Sequence, residues 1–81
     1  MEEMIKYINN SKFRAKIIKS IGTGAKFPSL IAKDTNFPQN QVGRILRGFV
    51  EKGIVEIINP EVRKGRTYRL TKLGLDILKE L

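Results

Sequence analysis

Eighty-one residues suffice for one small domain, near the size at which association often supplies part of the stability. Sixteen lysines and arginines against eight acids give a net charge of +8 and a pI of about 10.1, a balance that draws phosphate polyanions or acidic membrane surfaces, with nucleic acid leading. The absence of cysteine and histidine excludes disulfides, thiolate chemistry, zinc sites of the usual ligands and histidine-based acid/base or triad mechanisms.

No run approaches the roughly 18 apolar residues of a membrane span. The opening "MEEMIKYINN" is acidic where a signal peptide is basic. A soluble, cytoplasmic protein with no membrane partner is expected. The positive charge is also localised: residues 12 to 72 hold 14 basic residues against four acids, a net +10, and the two ends together carry −2.

In chain order, Met1, Met4, Ile5 and Ile8 recur at i, i+3, i+4 and i+7, which predicts a short helix over residues 1–10. This helix is read as an extension to a domain over residues 11–81. Ser11 is a suitable N-cap for "SKFRAKIIKSI", an amphipathic helix with Phe13, Ile17, Ile18 and Ile21 on its apolar side, ended by "GTG". Pro28 suits the first turn of a second helix, "PSLIAKDT", with Leu30, Ile31 and Ala32 facing the core, and Asn36 suits a left-handed exit.

The next segment, "PQNQVGRILRGFVEKG", repeats Val42, Ile45, Leu46, Phe49 and Val50 at helical spacing and stops at Gly53. "IVEII" and "TYRL" read as two antiparallel strands, with Tyr68 and Leu70 on one side. Thr71 caps a last amphipathic helix, "TKLGLDILKEL".

Two helices joined by Thr35, Asn36, Phe37 and Pro38 form a helix-turn-helix candidate. With Asn40 set at 0°, the core side of the second helix centres near 200°, whereas Arg44 falls near 40°, Arg47 near −20° and Gly43 near −60°, all estimates from helix geometry. Arginine suits guanine edges and asparagine or glutamine suits adenine, so Gln39, Asn40, Gln41, Gly43, Arg44 and Arg47 are candidate major-groove residues. The same polar stripe also suits an ordinary solvated helix face. Gly43 and Gly48 lower helix propensity, which suggests a close approach at these positions.

"NPEVRKGRTYRLT" packs Arg63, Lys64 and Arg66 around Gly65 at a hairpin tip. Such a tip suits the minor groove or a phosphate backbone. Lys12, Arg14, Lys16, Lys26 and Arg69 are further candidate backbone contacts, and Lys19 extends the basic face of the first long helix. Tyr68 is assigned to the core, and Phe27 and Phe37 are read as plugs around the turn. Met1, Met4, Ile5, Ile8, Leu75, Leu78 and Leu81 supply more apolar stripe than so small a core needs, and are candidate homodimer contacts. The alternative is that both end helices pack only on their own domain.

The segment from Pro28 to Gly74 resembles the winged helix-turn-helix of small archaeal MarR/ArsR-like regulators. Its most specific parts are "VGRILRGFVEKGIVEI" and "NPEVRKGRTYRLTKLG", and with the preceding helix the match covers about residues 11 to 81. The resemblance implies an α+β, mostly helical fold: a three-helix core, a two-stranded β wing, a C-terminal helix and the short N-terminal helix. It also implies a transcriptional regulator binding double-stranded DNA as a homodimer, with residues 39–41, Arg44 and Arg47 in the major groove and Arg63, Lys64 and Arg66 at the wing tip. Two departures stand out: Phe27 and Pro38 replace the hydroxyl residues that usually open the two helices, and Gly43 replaces serine on the groove face. No enzyme or cofactor is indicated, and whether a small-molecule effector binds is left open. A protein-interaction module of a transcription or replication assembly, or a non-specific nucleoid-type binder, are the competing readings.

Overall fold

In the computed structural model, which describes all 81 residues, eight elements follow in the order α1 (Glu2–Asn9), α2 (Lys12–Ile21), β1 (Ala25–Lys26), α3 (Pro28–Thr35), α4 (Gln39–Glu51), β2 (Val55–Ile57), β3 (Tyr68–Leu70) and α5 (Lys72–Glu80). Each predicted helix is present, and the boundaries follow the expected capping chemistry. The Ser11 hydroxyl accepts from the Phe13 N–H at 3.2 Å. The Thr71 hydroxyl accepts from the Gly74 N–H at 3.1 Å and donates to the Gly53 carbonyl at 2.6 Å. Asn36 takes the left-handed conformation (φ 60°, ψ 33°) that turns α3 into α4.

One buried cluster unites the elements: Ile8 from α1, Ile17, Ile18 and Ile21 from α2, Ile31 from α3, Val42, Leu46 and Phe49 from α4, Ile54, Val55 and Leu70 from the sheet region, and Ile77 from α5. α1, the expected N-terminal extension, packs on the same core as residues 11–81. Ile8 is wholly buried, and the Tyr7 ring meets Phe49 edge-on with centroids 6.4 Å apart. The turn between α3 and α4 is filled as expected by Phe37, edge-on to Phe13 at 4.6 Å.

The sheet has three strands rather than the two expected, in the order β1-β3-β2 and antiparallel throughout. Ala25 pairs with Arg69 and Lys26 with Tyr68; across β3, Glu56 pairs with Arg69 and Ile57 with Tyr68. A strand of two residues between Gly24 and Pro28 is too short for periodicity to reveal. α5 docks directly onto the start of the sheet, where a Cβ at Gly74 would overlap the Ile54 carbonyl oxygen.

Two apolar assignments change. Leu30 is exposed because it lies about 100° round α3 from the buried Ile31. Val50 is exposed because it falls at about 280° on α4, within about 20° of Gly43 and well off the core direction.

Candidate nucleic-acid interface

The outer face of α4 is organised as its periodicity predicts. Gln39, Asn40, Arg44 and Arg47 are exposed, and Gln41 and Gly43 are half-buried. Neither arginine has an acidic partner, since the two ion pairs of the chain lie elsewhere, at Lys26–Asp34 and Arg69–Glu56. The Asn40 side-chain oxygen accepts from the Gln41 N–H at 2.9 Å, so it occupies one free donor at the start of α4. Nothing lies within 4 Å of a Cβ placed on Gly43, which leaves that face open. Gly48 is different: the approach expected there is made by the chain itself, through the Tyr7 hydroxyl.

The basic hairpin is a built structure. The Asn59 side chain donates to the Gly65 carbonyl at 3.0 Å and accepts from the Thr67 N–H at 2.8 Å, tying both sides of the tip together. Gly65 takes φ +74°, which a side chain would strain. Arg66 turns inward, donating from Nε to the Val62 carbonyl at 2.7 Å and from its guanidinium terminus to Pro60 at 3.4 Å. Arg63 and Lys64 remain exposed, so the tip presents two outward cations on a frame held by Asn59 and Arg66.

The other candidate backbone contacts divide similarly. Lys12, Lys16 and Lys19 are exposed along α2, and Lys16 and Lys19 border a shallow hollow of about 410 Å³ with Ser20, Asp34 and Thr35. Arg14 instead serves α1, donating to the Tyr7 carbonyl at 2.7 Å with its guanidinium 3.9 Å from the Tyr7 ring centre. Lys26 is held by Asp34 and reaches the Ser20 hydroxyl, and Arg69 bonds Glu56 across the sheet at 2.8 Å. The hydrogen bond from the Lys26 ammonium is the main reason that the Asp34 pKa lies below its ordinary value. Desolvation opposes it as the next-largest effect, and the Lys26 charge, the Ser20 hydroxyl and Lys33 each add a smaller lowering.

A cleft of about 560 Å³ separates the start of α4 from the wing tip. Gln39 stands on one side, Arg63 and Lys64 on the other, with Phe27 and Tyr68 also in its wall. Tyr68 is half-buried against the core, as expected. Phe27 is not a plug: it is 48% exposed and belongs to no core cluster. Of the candidate dimer residues, Met1 is exposed and Met4, Ile5, Leu75, Leu78 and Leu81 are half-buried, but Ile8 is sealed in the core and offers no surface. No group of three or more acidic, cysteine or histidine residues is placed to hold a metal ion, and no helix is long and apolar enough to cross a membrane.

Helix, strand, helix, tight turn, helix and an antiparallel basic hairpin, closed by a C-terminal helix, leave one architecture. The fold is a winged helix-turn-helix. Among solved structures, the chain is similar to TubR from Bacillus thuringiensis serovar israelensis pBtoxis, solved bound to 24 bp of tubC (TM-score 0.78, 17% identity, 96% of this chain and 87% of that one). It is also similar to a MarR family transcriptional regulator from Silicibacter pomeroyi DSS (TM-score 0.74, 19% identity, 98% of this chain). The chain spans about half, 54%, of the length of that second protein. At these identities the likeness is one of fold. No protein-family profile matches the chain, and no curated protein matches it.

Two residues of this surface were not among the candidate contacts. Asn59 carried a signal, since Asn-Pro is a turn former whose side chain bonds nearby backbone. Phe27 carried none, because an aromatic beside a turn reads equally as packing.

Proposed function

We propose that the protein is a sequence-selective, double-stranded DNA-binding transcriptional regulator of the MarR/ArsR-like kind, acting as a homodimer in the cytoplasm and not as an enzyme. The observation that carries this reading is the outward pair Arg44 and Arg47, free of acidic partners on the exposed face of α4 and flanked by a pre-formed basic wing. The arginines and Asn40 read base edges in the major groove. Arg63 and Lys64 grip the minor groove or backbone, and Lys12 and Lys16 add phosphate contacts. The fold it shares with TubR, itself solved on DNA, and with a MarR family regulator supports the reading.

Dimerisation is proposed through the α1 and α5 surface, where Met1, Met4, Ile5, Leu75, Leu78 and Leu81 keep apolar area exposed. Two recognition helices would then address successive major grooves, about 34 Å apart. The test is a salt-titrated selection from a pool of random duplexes, with sedimentation of the intact chain alongside. Enrichment of an inverted repeat and a dimeric mass are expected. A pool released uniformly, without enrichment, would reduce the surface to a general phosphate grip, and a monomer at tens of micromolar would remove the dimer.

A further inference from the structure

Phe27 occupies the N-cap position of α3, makes no capping hydrogen bond there, and leaves 48% of its surface exposed. Serine, threonine, asparagine or aspartate would stabilise that helix start better. The ring contributes nothing to the buried cluster that would offset the loss. It stands instead in the wall of the cleft between Gln39 and the wing tip, among Arg63, Lys64 and Tyr68. An aromatic face in a cationic cleft suits a ligand whose anionic groups alternate with apolar ones.

A nucleic-acid strand has that alternation, phosphate then sugar. The cleft lies between the start of α4 and the hairpin, where a strand held by both would pass. Resting on the DNA-binding reading above, we infer that Phe27 packs against one deoxyribose of each bound half-site while Arg63 and Lys64 hold the neighbouring phosphates. The contact is selective for the deoxy sugar. The C2′ methylene packs on the ring, whereas a 2′-hydroxyl placed there loses water and finds no hydrogen-bond partner.

The experiment uses the intact protein and a selected duplex in which single ribonucleotides are moved one position at a time through an otherwise all-DNA site. Roughly five- to tenfold weaker binding is expected at one position per half-site. The same scan on Phe27→Ser should be flat at that position. Thermal melting of the variant should be unchanged or higher, because serine caps α3, so the effect cannot come from unfolding. A flat scan with the native protein, or a penalty that persists in Phe27→Ser and Phe27→Ala, overturns the contact while leaving DNA binding intact. Failure of the native protein to bind any duplex overturns the DNA-binding reading, and this inference with it.

Discussion

The Tyr7 hydroxyl stands against Gly48 so closely that a Cβ on that glycine would lie 3.1 Å from it, joining α1 to the back of α4. The ring has little freedom to withdraw, with Phe49 edge-on to it and the Arg14 guanidinium 3.9 Å from its centre. Gly43, on the outer side of the same helix, has nothing within 4 Å of a Cβ placed there. The two glycines should therefore answer alanine differently. Gly43→Ala should raise stability by about 0.8–1.0 kcal/mol, the helix-propensity difference. Gly48→Ala should gain less until Tyr7→Phe removes the hydroxyl. Urea denaturation of the two single variants and the Tyr7→Phe, Gly48→Ala pair checks this, and equal gains at both glycines in the native background would refute the crowding.

Arg44 and Arg14 separate reading from folding. Arg44→Ala should lose about 1–3 kcal/mol of binding on a selected site and little on random duplex, with unchanged melting. Arg14→Ala should chiefly lower the melting temperature, because its guanidinium is committed to the Tyr7 carbonyl and ring. Fluorescence anisotropy on the two duplexes, beside thermal melts, distinguishes them. Equal losses for Arg44→Ala on both duplexes would make that residue a phosphate contact.

Salt dependence should sort the lysines. Lys64, exposed at the wing tip, should release about one counterion on binding, so Lys64→Ala lowers the slope of log affinity against log salt by about 0.9. Lys26 is already neutralised by Asp34 and should leave the slope nearly unchanged when replaced by alanine. A common slope change for both would mean that the Lys26–Asp34 pair opens on DNA.

Asn59 is one of the two side chains that hold the wing tip. Asn59→Ala removes the bonds to Gly65 and Thr67, so amide exchange at Thr67 should accelerate by roughly fivefold, matching about 1 kcal/mol of lost local protection. Duplex affinity should fall with it, although Asn59 itself carries no charge. Unchanged exchange at Thr67 would show that the strand pairing alone holds the tip.

Asp34 contributes to the acid dependence. Its folded pKa lies below the ordinary value of 3.8, so its contribution to stability is present above that value and is lost as pH falls through the lowered one. Asp34→Asn should lower stability slightly at neutral pH, the pair being exposed and screened, and leave it unchanged below the lowered pKa, so the acid limb flattens by that small amount. An unaltered acid limb would assign that dependence to other carboxylates.

Periodicity and capping made most of this molecule legible before any coordinates. Val42, Leu46 and Phe49 define the inner face of α4, and the outer face follows by geometry because a helix has one fixed angle per residue. Ser11, Asn36, Gly53 and Thr71 mark boundaries for reasons local to each backbone. Tertiary packing decided what each polar or aromatic side chain does with the space around it. Arg14, Lys26, Arg66 and Arg69 look the same as Arg44, Arg47, Arg63 and Lys64 in a composition, yet the first four are held by carbonyls or carboxylates of the chain itself. Those partners are brought near by the turns and strand pairings that set α1 on α2, β1 near α3 and β2 beside β3. Ile8 and Phe27 exchanged their expected places for the same reason: burial depends on which elements meet, and only the folded chain settles that.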